Sequence, residues 1–323
     1  MTTYKDIRGT HITTVASDPP SPVNGQMWYN STAQVMKGFT SSPVGSWSTA
    51  ANMNTARHSG IASAGANAEA ALGFGGGPPP APGAVAITES WNGSTWTEVA
   101  DLNTARALAG GAGNYTSAIA AGGDQYSGTS ESWNGSSWTN ITSSPNTGHT
   151  QQGAGSDNED ALIFGGSPYA VNNNTDYWNG SSWTEGGNLN TARQVGAGSG
   201  KTYTAALAIG GTNPTGVLAI NESYNGSTWT EVADINTARA YMGADGTQTS
   251  TLTFGGNNPP NLAVTESWDG TSWTETGDLN TARSYLGRGG ASNASAIGFS
   301  GAPSAATEEF VTPTTSTVTF TAS

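Results

Sequence analysis

The sequence predicts an all-β protein in which six four-stranded sheets stand as the blades of a β-propeller, and three observations predict it. First, WNGSTW (91–96), WNGSSW (133–138), WNGSSW (178–183), YNGSTW (224–229) and WDGTSW (268–273) are five copies of one hairpin, and GSW ending at Trp47 is the second half of a sixth. Second, the closing tryptophans Trp47, Trp96, Trp138, Trp183, Trp229 and Trp273 lie 49, 42, 45, 46 and 44 residues apart, the period of a four-stranded propeller unit. Third, two further markers keep the same phase. NTAR stands at 54–57, 103–106, 190–193, 236–239 and 280–283, with NTGH at 146–149, and a small-apolar run ends in paired glycine in ALGFGG, SAIAAGG, ALIFGG, AALAIGG and STLTFGG, with SAIGFSG as a degenerate sixth.

Composition fits a folded chain with a lean core. Of 323 residues, a length that by itself suggests two domains, 45 are glycine and only 10 % are charged, yet 11 Trp, 10 Tyr and 7 Phe supply large apolar rings that a disordered chain lacks. The net charge of −13 argues against a nucleic-acid partner held through phosphates. There is no cysteine, hence no disulfide, thiolate nucleophile or cysteine metal site. His11, His58 and His149 have no metal-ligand spacing. No run of about 18 apolar residues suggests a membrane span, and MTTYKDIRGTHITTV has no signal-peptide character.

In chain order, residues 1–44 stand outside the repeat. SDPPSP (17–22) reads as a semi-extended linker, and GQMWYNSTAQVMKGF (25–39) as a strand, a turn at NSTA and a second strand. Residues 45–311 carry the repeats. Each begins after NTAR with a Gly/Ala-rich strand such as LAGGAG, whose small residues suit strands crowded around an axis. The run ending in GG is the second strand, TESW the third, and WTEVADL the fourth. Asn-Gly or Asp-Gly joins the last two, the strongest short-range hairpin signal. A two-residue or a four-residue loop would each leave Trp91 and Trp96 on one face, offering an aromatic pair to the neighbouring blade. The C-terminal repeat ends at TEEF (307–310) with three strands, Phe310 standing where Trp91 stands in its own repeat. The strand around Trp47 is expected to be its fourth, so that the ring closes without a long free edge. The Thr-rich tail 312–323 is expected to add an outer strand or pair with a neighbouring subunit.

The run ending in GG, the aromatic on the third strand, the Trp on the fourth and the apolar residue followed four positions later by Arg, as in Leu102 and Arg106, resemble the kelch family of β-propellers over about 46–310. The resemblance implies a scaffold rather than an activity. Pro20, Pro22, Gly25, Trp28, Tyr29, Asn30 and Lys37 resemble a short hairpin of virion and tail-fibre proteins of tailed bacteriophages, over about 25 residues. That likeness implies attachment of residues 1–44 to other virion proteins; an ordinary hairpin buttressing the last blade is the alternative, and the two are compatible.

Arg57, Arg106, Arg193, Arg239 and Arg283 recur at equivalent points. A ring of anion-binding arginines is one reading. Bonding of each Arg to carbonyls between blades is the better one, since a site normally breaks symmetry. Asn92, Asn134, Asn179 and Asn225 begin Asn-Gly-Ser sequons that turn chemistry explains. DNED (157–160), on a turn between first and second strands, lacks calcium-loop spacing and reads as solvated charge. SWNGSTW is one residue shorter than the sialidase Asp-box, and a galactose-oxidase-like site needs a cysteine that is absent. No catalytic residues, metal or cofactor are assigned.

Function is expected in the connections between second and third strands, which differ in every repeat: 77–86, 124–128, 167–173, 212–216, 257–261 and 302–306. Rigid strands presenting variable loops make a binding surface. Tyr126 and Tyr169 are expected to stack on sugar rings, with Asp124, Asn172, Asn213 and Asn258 supplying hydrogen bonds. The expectation is a non-enzymatic virion protein of a tailed phage, a fibre, tail or capsid-decoration component assembled in the host cytoplasm. Host-surface glycan is its expected ligand and a homo-oligomer is allowed, without nucleic acid or membrane insertion. A free-standing lectin-like propeller or a protein-interaction scaffold is the alternative.

Overall fold

The computed structural model describes residues 12–22, 26–41, 45–57, 62–77, 83–123, 129–144, 152–166, 172–302, 304–312 and 315–320. Among them the chain is all-β, forming seven four-stranded sheets, an architecture that fits a β-propeller. It divides into two compact units, Ser46–Val311, and Met1–Gly45 together with Thr312–Ser323.

Six sheets make up Ser46–Val311. Sheet one consists of Ala62–Asn67, Ala70–Phe74, Thr88–Trp91 and Trp96–Val99 in that order, every neighbouring pair antiparallel. Sheets two to five repeat it, with first strands Gly110–Asn114, Gln152–Asp157, Ala197–Thr202 and Gly243–Thr247. Sheet six joins Gly287–Ser292, Ser295–Phe299 and Thr307–Val311 to Ser46–Ala50, with Phe310 opposite Trp47. The first strands pack in succession, one on two through to five on six, and six on one.

Local chemistry explains these elements. First strands are rich in glycine because neighbouring sheets meet there backbone to backbone. A Cβ on Gly111 would lie 2.4 Å from the Ser63 carbonyl, and one on Gly198 2.3 Å from that of Gly153. The hairpin loop is the four-residue form, since Trp91 pairs with Trp96. Asn92 Oδ1 accepts the N–H groups of Ser94 and Thr95 at 3.0 and 2.9 Å, and Gly93 takes the left-handed φ of 88° that the turn requires.

The core lies between sheets. Four of the six closing tryptophans pack on a phenylalanine that ends the second strand of the preceding sheet: Trp138 on Phe74 at 4.9 Å, Trp229 on Phe164 at 4.9 Å, Trp47 on Phe254 at 4.8 Å and Trp96 on Phe299 at 4.6 Å. In these four the indole N–H donates to a buried threonine of that same sheet: Trp138 to Thr88, Trp229 to Thr175, Trp47 to Thr265 and Trp96 to Thr307, whereas Trp273 donates to the Ala233 carbonyl at 3.1 Å. One bond thus fixes the register of the aromatic contact. Sheet two carries Ser130 at the threonine position, and Trp183 Nε1 of sheet three has no acceptor among the described residues.

The second unit holds the seventh sheet, ordered Thr13–Val15, Met27–Asn30, Val35–Ser41 and Thr315–Phe320. Its first pair is parallel and the other two are antiparallel. The tail therefore pairs with the N-terminal hairpin of its own chain, rather than adding to a repeat or needing a neighbouring subunit. Trp28 is fully buried. Asp18 accepts Trp28 Nε1–H at 3.0 Å, Asn30 Nδ2–H at 2.9 Å and Lys37 Nζ–H at 2.6 Å.

Candidate functional site

The connection into five of the six sheets is built on the NTAR motif. Arg57, Arg106, Arg193, Arg239 and Arg283 are all buried. Their guanidinium groups meet Glu89, Glu131, Glu222, Glu266 and Glu308, the glutamates of the third strands. Arg57 Nη1 also donates to the Gly75 and Ile87 carbonyls at 2.9 and 2.7 Å, and Arg283 Nη1 to those of Ser300 and Ala306 at 2.9 and 2.7 Å. The motif's asparagine closes on the same carboxylate: Asn54, Asn103, Asn190, Asn236 and Asn280 each donate their backbone N–H to it at 2.7 Å. Burial pushes the pKa values of Arg57, Arg193, Arg239 and Arg283 down, and the paired carboxylates oppose that shift. Meanwhile the Arg carbonyl accepts the second glycine N–H of the preceding sheet, as from Gly76 to Arg106 at 2.8 Å and from Gly301 to Arg57 at 3.2 Å. Each arginine thus fastens two adjacent sheets and is buried between them.

The variable connections share a face with these motifs. Gln194 pairs with Thr212, Ala240 with Asn257 and Ser284 with Ala302, tying the residue after each Arg to a connection. The next residue turns through the left-handed region in four repeats: Leu108 at φ 57°, Val195 at 50°, Tyr241 at 56° and Tyr285 at 62°. Bulky residues rarely take this conformation. Cross-sheet bonds hold it, Tyr241 N–H donating to the Val195 carbonyl at 2.7 Å and Tyr285 N–H to that of Tyr241 at 2.8 Å. The rings of Tyr241 and Tyr285 come together with centroids 4.1 Å apart and planes at 35°. Both are half-buried. Burial, with the Tyr241 hydroxyl beside it, holds the Tyr285 phenol well above the usual range.

Asp124, Tyr126 and Tyr169 lie outside the described residues, as do His11, His58 and His149. The described members of the set do not form one cluster. Asn213 Oδ1 accepts the N–H and the hydroxyl of Thr215 at 2.9 and 2.6 Å. In that repeat the expected loop is a tight extension of the paired strands Ala205–Asn213 and Gly216–Tyr224. Asn172 hydrogen-bonds through its backbone to Gly166 and Arg193. Asn258 is exposed and donates to the Ala238 carbonyl at 3.1 Å. It belongs with Asn257 and Asn261, whose side chains bond each other at 2.8 Å, while Ser284 Oγ–H donates to Asn261 Oδ1 at 3.0 Å. This asparagine group and the Tyr241–Tyr285 pair occupy adjoining segments of one face, and this is where an aromatic platform and polar groups converge.

Sequence reasoning missed Tyr241 and Tyr285 because nothing in their neighbours marks a left-handed turn. The third-strand glutamates were missed for a different reason: a carboxylate in TESW reads as an exposed strand position unless its arginine is known. In sheet three, where NTGH replaces NTAR, the glutamate is also replaced, by buried Asp176, which accepts a hydrogen bond from Ser144 Oγ. At the DNED turn the charge is not merely solvated, since Asp160 accepts the Tyr203 N–H and burial raises its pKa. Among the described residues no group of three or more His, Asp or Glu is placed to hold a metal ion. No protein-family model and no curated protein matches the chain.

Proposed function

We propose that Ser46–Val311 is a closed six-bladed, kelch-like propeller, its last blade completed by Ser46–Ala50, and that the chain is a non-enzymatic structural protein of a tailed-bacteriophage virion whose propeller binds host-surface glycan. The observation that carries the binding reading is the Tyr241–Tyr285 pair beside Asn257, Asn258 and Asn261. Sugar C–H faces pack on aromatic rings while hydroxyls bond amides, and a few polar groups beside an apolar platform fix orientation. The six-fold closure draws support from the succession of first strands returning from sheet six to sheet one. The virion reading draws support from the second unit. Trp28, Asn30 and Lys37, which carry the likeness to phage hairpins, all donate to one carboxylate, Asp18.

Two measurements test the two halves separately. Antibody labelling of purified particles in electron microscopy should mark the tail, fibre or head surface; unlabelled particles that contain the gene would sink the virion half and leave a free lectin-like propeller. Binding of the purified chain to host cells or to arrayed glycans should fall about tenfold or more, roughly 1.4 kcal/mol, in Tyr285→Ala. Undiminished binding would remove this face from the reading.

A further inference from the structure

Where six first strands meet, small residues predominate. Aligned on their common glycine, the position two before it reads Ser63, Gly111, Gly153, Gly198, Ala244 and Arg288. The position before it reads Ala64, Ala112, Ala154, Ser199, Asp245 and Gly289, and the position after it offers Lys201 in sheet four alone. Three charged side chains therefore break the pattern, and all three line one cavity whose other walls are glycine, alanine and serine. The cavity has about 10 Å³ of space for water centres, room for a single water-sized species.

The charges in it do not balance. Lys201 Nζ–H donates to Asp245 Oδ1 at 2.7 Å and to the Gly65 carbonyl at 2.8 Å, reaching from sheet four to sheet one. Arg288 Nη2–H donates to the Gly153 carbonyl at 2.8 Å, reaching from sheet six to sheet three. A guanidinium has five N–H donors, and this is the only one of Arg288's that meets a protein acceptor among the described residues. Two cations face one carboxylate, and both are only partly exposed, so the lining carries a net positive charge in a half-screened place where a counter-anion is favoured. The five repeated arginines, each on its own glutamate, show how the same fold treats a buried guanidinium when it balances it.

We infer that this cavity is a binding site for one small monovalent anion of halide size, held by the free guanidinium donors of Arg288 and by Lys201. A space of one water's size suits a halide better than phosphate, sulfate or a sugar. The ion would join sheets one, three, four and six through the two side chains that contact it, acting as a central fastener. The inference rests on the packing of the first strands and is independent of the virion and glycan readings.

Halide titration of the full chain tests it. With the protein in sodium gluconate at constant ionic strength, replacing gluconate by bromide or chloride should raise the thermal midpoint saturably, and sulfate should not reproduce the rise. Arg288→Met should abolish the halide-specific rise. Should that variant not fold, Lys201→Met serves for the same comparison, with a halide rise smaller than that of the unaltered chain. A bromide-soaked crystal of the unaltered protein should show an anomalous peak within hydrogen-bond distance of the Arg288 guanidinium. A midpoint indifferent to halide, or a cavity holding water alone in bromide, overturns the proposal.

Discussion

At the scale of single residues, the buried Arg–Glu pair is the unit on which the repeats turn. Neither partner has water to fall back on, so removing one leaves an uncompensated charge, a loss of about 3–5 kcal/mol for pairs of this kind. Arg239→Met should therefore lower the unfolding free energy by that order in denaturant titration, whereas the double change Arg239→Met, Glu266→Gln should recover part of it, because the neutral amide removes the unpaired charge and its oxygen still accepts the Asn236 N–H. Asp18 offers a second test. Its carboxyl is held down at about 2, chiefly by the Lys37 hydrogen bond and then by those from Asn30 and Trp28. A depressed folded pKa contributes stability that is present above the unfolded value, near 3.9, and is lost as the pH falls through about 2. The Trp28 indole N–H resonance should accordingly titrate with a midpoint near 2, and Asp18→Asn should erase that transition.

Among elements, the closing tryptophan is the clearest case of a role divided between packing and one polar bond. Thr175→Val keeps the shape of the contact with Trp229 but removes its acceptor, so a buried indole N–H is stranded at a cost of about 1–3 kcal/mol. Calorimetry should show the lowered midpoint, and Trp183, which lacks an acceptor among the described residues, should show no comparable dependence on its neighbour. The strands themselves were legible in the sequence because periodic markers, paired glycines and Asn-Gly turns act locally, as at Asn92 and Gly93. What was not legible depends on distance. Glu89 acquires meaning only from Arg57, 32 residues away, and Tyr241 meets Tyr285 only because successive sheets place equivalent turns side by side. The partner of Thr315–Phe320 was hidden for the same reason, since its β-branched residues announce a strand but nothing nearby names the strand it joins. Arg288 and Lys201 were visible as departures from a row of small residues, yet their meeting across the first strands follows only from the arrangement of the sheets.

For the whole molecule, the decisive strand is Ser46–Ala50. Trp47 packs against Phe254 and Phe310 and bonds Thr265, so it belongs to the core although it comes from the far end of the chain. A fragment of residues 45–311 should unfold cooperatively with a midpoint close to that of the full chain. A fragment beginning at residue 51 should be strongly destabilised and bind hydrophobic dyes, because Phe310 and Phe254 lose their cover. If the shorter fragment were equally stable, the completing role of the strand would be wrong.

The pairing of the chain ends also sets how tension travels. Ser46 lies opposite Val311 in sheet six, and Ser41 lies opposite Thr315 in the seventh sheet. The two units are thus tethered by two covalent segments that leave one base pair of residues and arrive at another. Each unit holds a strand from both ends of the chain, so a pull applied between the units should load both segments. Loading the body through a single end, as in a fragment lacking Thr315–Phe320, should instead peel Ser46–Ala50 from its neighbour one hydrogen bond at a time, the mechanically weakest way to open a sheet.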